Sequence, residues 1–249
     1  MIEAVFISDL HLHPQRIDIQ ERFNKFISWC KTASIKRIYI LGDFFHAWAG
    51  DDSIDEWSRA IAKQVNELVQ QNIQLFYMHG NRDFLLGKEF AKLAGWVILP
   101  EPTLIELGKE QVLLVHGDRY CLKDIAHQRF RKLTRNRLFS LIFLCLPLHV
   151  RLKLVNKVRQ ISKSNQHKTM EQMDVSSEAV ISHMLKMNVK ILIHGHTHKP
   201  GLSSYFLKSI ELKRYVLSDW DDMPWLLCYH NTNEYNFDQH WFLEVKNDK

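Results

Sequence analysis

The sequence predicts a layered α/β fold carrying a helical insertion, and three observations carry that prediction. Five short apolar runs, Ala4–Ile7, Arg37–Leu41, Gln74–Met78, Gln111–Val115 and Lys190–Ile193, are rich in branched and aromatic residues and too short for typical helices. Each reads as a buried strand. The segments between the first three repeat apolar residues at helical spacing, and alternation of strands with helices implies layers. The stretch 121–185 has no glycine and no strand signal; it reads as helices inserted between the fourth and fifth strands.

The helical segments are Arg22–Lys31 and Trp57–Gln71, the second with Ile61, Val65, Leu68 and Val69 along one face. Further runs, Thr103–Leu107, Arg214–Leu217, Trp225–Tyr229 and Trp241–Val245, lack long helices between them. They are expected to form a second, largely antiparallel sheet. Within the insertion lies Leu138–Val150, LFSLIFLCLPLHV. As a helix this run spans about 20 Å, short of the roughly 30 Å hydrocarbon core, and Pro147 interrupts it. It is no membrane span. Two readings stay open: a core-facing helix of a small cap, or, because Arg135, Arg137, Arg151 and Lys153 flank it, an element for a membrane interface.

Composition narrows the class. The chain has 249 residues, 46% hydrophobic and 24% charged, with nine Gly and six Pro, which excludes collagen-like and low-complexity chains. Its four cysteines form no CxxC pair, against a disulfide scaffold or a thiolate zinc site. A reducing cytoplasm fits, and MIEAVFISDLHL lacks the features of a signal peptide. Net charge is +5, but residues 123–168 hold twelve Lys or Arg and one acid, net +11, so the remainder carries −6. One basic segment in an acidic body points to an anionic partner met by that segment.

Each of the five strands ends in a polar cluster: Ser8-Asp9-Leu10-His11, Gly42-Asp43, His79-Gly80-Asn81-Arg82-Asp83, His116-Gly117-Asp118 and His194-Gly195-His196-Thr197-His198. Ligands of open α/β sheets bind outside the carboxyl ends of the strands. Taken singly, each cluster is explained by a turn or a half-buried histidine. Taken in order, D-x-H, G-D, G-N, H and G-H-x-H supply imidazoles, carboxylates and an amide for two divalent ions, Mn²⁺ before Mg²⁺.

This series resembles the calcineurin-like metallophosphoesterase superfamily over residues 5–198. GDFFHAWAGDD at 42–52, GNRDFLLGK at 80–88, HGD at 116–118, MDV at 173–175 and VLSDW at 216–220 are similar to the UDP-2,3-diacylglucosamine diphosphatases of lipid A synthesis. The resemblance implies a four-layer α/β/β/α sandwich, one domain over 1–249, with a helical cap at about 121–185. It implies two Mn²⁺, one held by Asp9, His11, Asp43 and His198, the other by Asp43, Asn81, His116 and His196, with Asp43 bridging. His79 and His194 are expected outside the ligand set, and Asp83 and Asp118 are expected to orient neighbours.

The superfamily commonly places a histidine where this chain has Arg82. A permanently charged planar donor suits cleavage of a diphosphate, whose leaving phosphate needs less protonation than an alkoxide. The resemblance implies catalytic roles for Asp43, Asn81, Arg82 and His116, and substrate contacts from Asn81, Arg82, Asp124, Ser162, Asn165, Lys168 and His196. Ser164 is the alternative to Ser162, and His127 stands where relatives can carry Tyr. The implied reaction is hydrolysis of UDP-2,3-diacylglucosamine at the α-phosphorus to UMP and 2,3-diacylglucosamine 1-phosphate. The implied partners are that lipid-linked nucleotide sugar and an anionic membrane surface, at the cytoplasmic face of the inner membrane, with no nucleic acid and no obligate protein partner. The rival readings are another dinuclear-metal phosphodiesterase or nuclease, and a non-catalytic scaffold.

Overall fold

In the computed structural model, residues 1–164 and 174–243 are described, with side chains through 160 and from 174. Eleven strands among these residues form two sheets. The first contains β1 (Ile2–Ile7), β2 (Ile35–Leu41), β3 (Gln74–Met78), β4 (Val97–Leu99), β10 (Leu226–His230) and β11 (Tyr235–Asp238), in the order β11-β10-β1-β2-β3-β4. The second contains β5 (Thr103–Leu107), β6 (Glu110–Leu114), β7 (Ile191–His194), β8 (Gly201–Leu207) and β9 (Ile210–Val216), in the order β5-β6-β7-β9-β8.

Period-two side-chain alternation turns these sheets into layers. In β1, Val5 and Ile7 face a core shared with α1 (Ile17–Thr32), α2 (Glu56–Gln70) and α3 (Lys88–Ala94), where Phe23, Ile61, Val65 and Phe90 are buried. Ala4 and Phe6 face the opposite way, into a core between the sheets that holds Val112, Leu114, Ile191 and Ile193. Leu113, Val115 and Leu192 then face a third core with Val180 and Met184 of α7 (Ser177–Lys186). The order is helix, sheet, sheet, helix. Apolar runs with no polar alternation mark the strands covered on both faces. α2 starts on a capping box: Asp55 accepts from Ser58 N at 2.8 Å, and Ser58 Oγ accepts from Asp55 N at 2.9 Å.

Two expectations are corrected. The second sheet is mixed: β6 and β9 both run parallel to β7, and only the β5/β6 and β8/β9 pairs are antiparallel. Trp225–Tyr229 belongs to the first sheet, pairing antiparallel with β1. Apolar alternation does not encode which sheet a strand joins, so the run was legible and its partner was not. Trp241–Leu243 is a 3-10 turn, and 244–245 lie outside the described residues. Trp241 buries its ring against Phe26 and Trp29 of α1 and donates Nε1–H to Pro224 O at 2.8 Å, so its aromatic character serves a helix contact.

Between β6 and α7 the described residues form α4 (Ile125–Thr134), α5 (Arg137–Leu144) and α6 (Leu148–Ser164). Asp124 caps α4 through His127 N, and Asn136 caps α5 through Leu138 N. No residue of α5 is buried; Leu138, Leu141, Ile142 and Leu144 are all exposed. The core-facing reading of this run holds only in part: Phe143 packs against the first core with Phe139 stacked on it, while Leu138, Leu141, Ile142 and Leu144 are exposed. No described helix is long and apolar enough to cross a membrane.

Candidate metal centre

β1, β2 and β3 run parallel, as do β6 and β7, so each group of strands ends at one edge, and the two edges meet. Asp9 N donates to Gly42 O at 3.0 Å and His11 N to Asp43 O at 2.9 Å, while Gly195 N donates to His116 O at 2.9 Å. His196 N reaches across to Asp9 Oδ2 at 2.7 Å. His116 Nδ1 lies 2.8 Å from Leu41 O; as the donor there, it leaves Nε2 for the centre. The approach of Gly42 to Gly80 permits this closure. A Cβ on Gly42, whose φ is 92°, would lie 2.6 Å from the Gly80 backbone and from His116 Nδ1.

Two groups of side chains face one another there: Asp9, His11 and His198, and Asp43, His116 and His196. Within each, the three donor atoms lie within 4.8 Å of one another. Asp43 stands between them, its Oδ2 4.0 Å from His11 Nδ1 and its Oδ1 3.8 Å from His116 Nε2. Asn81 Oδ1 is 2.9 Å from His116 Nε2. All seven residues expected to ligate metal therefore meet at one place.

The donors fit a pair of cations. Asp9 Oδ1 and both ring nitrogens of His11 are buried without a hydrogen-bond partner, a condition that costs about 1–3 kcal/mol per atom unless something binds them. Burial pushes the Asp43 carboxyl up to about 6, helped by Asp83 and Asp9 and opposed by His116 and Arg82. Burial works the same way on Asp9, but His198, His116 and His11 outweigh it and hold that carboxyl well below its usual range. His198 is raised to about 10 against its own burial by Asp219 and Asp9, and His116 to about 9 by Asp43, Asp9, Asp118 and Glu101. Burial, with Arg82 for His11 and His116 for His196, depresses the other two imidazoles.

The surrounding residues hold these donors in place. Asp83 accepts from Asp43 N, Phe44 N, Phe45 N and Gly80 N at 2.7–3.3 Å, tying the β2 and β3 loops together. Asp219, in the VLSDW stretch, lies 3.0 Å from His198 Nδ1, and Ser8 Oγ donates to Asp9 Oδ2 at 2.6 Å. Asp118 lies 3.8 Å from His127 Nε2 and 3.0 Å from Arg131 Nε. His79 pairs with Leu86 O at 2.7 Å and His194 with Gly195 O at 2.7 Å, so neither joins the two groups.

Of the expected substrate contacts, Asn81, Arg82 and His196 border the centre. Arg82 Nε is 3.5 Å from Asp43 Oδ2, and its backbone N donates to Asp43 Oδ1 at 2.9 Å. Asp124 stands at the start of α4, one turn before His127, whose ring lies 5.3 Å from that of His196. Asn165, Lys168 and the side chain of Ser162 lie outside the described residues, as does the side chain of Ser164. Sequence reasoning missed Arg159 on α6. Arg159 is half-buried, and desolvation with the charge of Arg82 lowers its guanidinium to about 10 against the pull of Asp43. It was one of twelve basic residues in its segment, and its only available signal was its position one helical turn before Ser162 and Lys163.

A two-sheet sandwich with two metal-binding groups at its strand ends defines a class, and the calcineurin-like phosphoesterase model matches residues 3–200. The chain belongs to that family. It is 41% identical over 224 residues to a UDP-2,3-diacylglucosamine hydrolase of Pseudomonas putida KT2440, covering 90% of this chain and 93% of that one. It is 41% identical over 227 residues to a protein of the same name from Pseudomonas aeruginosa UCBPP-PA14, covering 91% and 94%. Among solved structures, an archaeal phosphodiesterase is similar at a TM-score of 0.48 and 12% identity, covering 94% of this chain and 98% of that one.

Proposed function

We propose that this chain hydrolyses UDP-2,3-diacylglucosamine at the α-phosphorus, releasing UMP and 2,3-diacylglucosamine 1-phosphate, a step of lipid A biosynthesis. The observation that carries the chemistry is Asp43 standing between two metal-binding groups with Arg82 against it. The relatives' printed activity supplies the substrate.

Asp9, His11, Asp43 and His198 would hold one Mn²⁺, and Asp43, Asn81, His116 and His196 the other. Such a pair supplies an acidified water and neutralises phosphoryl oxygens. The protein's own residues do the rest. Arg82, its nitrogen 3.5 Å from Asp43, presents fixed positive charge to the diphosphate as charge grows on it, and Arg159 helps to bind the diphosphate before reaction. Asn81 and His196 orient the phosphoryl group. Asp83 and Asp219 keep the loops in register. Asp124, Ser162, Asn165 and Lys168 are proposed to grip the nucleotide and sugar.

We assign the cap to about 121–185. Its exposed α5 face, with the basic residues around it, supports a membrane-docked protein at the cytoplasmic face of the inner membrane, drawing acylated substrate from anionic lipid. The test compares UMP release from the acylated substrate with hydrolysis of a deacylated UDP-sugar and bis-p-nitrophenyl phosphate. Strong preference for the acylated substrate is expected; equal rates on all three would refute the assignment.

A further inference from the structure

We propose that Arg151 is a positioning residue, locking the elbow between α5 and α6 onto the 45–52 loop, which is itself bonded to Arg82, and so fixing the helix that carries Arg159. The inference deepens the substrate reading above and depends on it for the choice of substrate.

Arg151 is 2% exposed and is the only fully buried Lys or Arg side chain among the described residues. Its guanidinium is spread over three acceptors. Nε donates to Leu146 O at 2.9 Å, in the elbow itself. Nη1 donates to Ala49 O and Nη2 to Asp52 Oδ2, both on the core loop. The loop is shaped to receive it: Gly50 has a φ of 121°, and a Cβ there would strike Arg151 Nη1 and come within 2.7 Å of Leu144 Cδ2.

From that contact the chain of bonds leads to the centre. Asp52 reaches outward to Arg151, while its neighbour Asp51 reaches inward. Asp51 accepts from Trp48 Nε1, Gly87 N, Glu89 N and Phe90 N at 2.8–3.2 Å. Trp48 N then donates to Arg82 O at 3.2 Å. Along α6, Arg159 lies eight residues beyond Arg151, about 12 Å up the axis. Two guanidinium groups of like charge do not hold each other in place, so the helix that brings Arg159 within reach of Arg82's charge needs an attachment elsewhere. Arg151 provides it, and a lysine, with one compact ammonium, cannot reach all three acceptors.

The test uses the full chain with Arg151→Met, Arg151→Lys and Asp52→Asn. Asp52 is 55% exposed, so its variant leaves folding intact if Arg151→Met does not. Kinetics are measured on UDP-2,3-diacylglucosamine and on bis-p-nitrophenyl phosphate, with hydrogen exchange over 137–160. Arg151→Met should raise KM for the acylated substrate about tenfold or more with kcat nearly unchanged, the scale of a lost charge-assisted hydrogen bond. Asp52→Asn should do so less, and Arg151→Lys should recover part of the loss. Small-diester turnover should hold, and exchange over 137–160 should quicken. Parallel loss on both substrates, a loss confined to kcat, or unchanged exchange in both Asp52→Asn and Arg151→Lys would overturn the role. If the unaltered protein ignores the acylated substrate, the substrate reading fails, and the exchange rates still decide the joint.

Discussion

Replacing Leu141, Ile142 and Leu144 with serine should release the protein from lipid without unfolding it. These side chains are 64%, 60% and 40% exposed in α5. Full burial of such a side chain is worth about 1.5–3 kcal/mol, so the exposed fractions together offer roughly 2.5–5 kcal/mol to a hydrocarbon surface. The folded protein has already forgone that share; the buried remainder of the same side chains, Leu144 above all, costs the variant part of its stability. Loss of the full amount corresponds to roughly two to three and a half orders of magnitude in partitioning. The assay is co-sedimentation with vesicles rich in anionic phospholipid, in the absence of substrate, with thermal unfolding alongside. Binding should fall by at least tenfold while the protein stays folded with only a modest fall in Tm, and high salt should weaken what remains. If lipid binding persists in the triple variant, or if Tm falls steeply with it, the exposed face is not a lipid-docking surface.

Asp43→Asn should cut turnover at least a thousandfold and remove bound metal, because the one carboxylate between both groups is lost; metal analysis and steady-state kinetics check this. Chelation should abolish activity, with Mn²⁺ restoring it best; restoration by Ca²⁺ alone would contradict a donor set rich in imidazole. Asp83→Ala leaves four backbone N–H groups without their acceptor, and should lower stability by about 3 kcal/mol or more, read by urea unfolding.

The layers were legible because strands covered on both faces have no polar alternation: Val5 and Phe6, or Leu113 and Leu114, had to face different cores. Sheet membership was not legible. Gln111–Val115 and Lys190–Ile193 have the same apolar pattern as the first three runs, yet they form the other sheet. At the centre, side-chain identities could be read from the clusters, since carboxylates, imidazoles and an amide at strand ends have few other uses. What holds them was legible only in part: Asp83 was expected to orient its neighbours, but the convergence of four amides on it shows only in the fold. Arg151 and Arg159 are two of twelve cations in one segment, and only packing shows one buried on a core loop and the other half-buried.

Backbone conformation explains why the spacing of the motifs matters. Asp9, His11, Asp43, His196 and His198 all adopt φ between 53° and 71°, where a side chain with a Cβ costs about 1–3 kcal/mol. Alternate left-handed residues curl D-x-H and H-x-H back on themselves just past the strands. Asp9 and His11 consequently stay in one group, while His196 and His198 divide between the two. Regular strand continuation would instead carry these residues away along the sheet edge. The strain persists because bonds from outside the loops oppose it: Asp83 to the β2 and β3 loops, Asp9 to His196 N, and His116 to Leu41 O. The layered core beneath the centre thus holds its donors in a geometry that the isolated loops would not adopt.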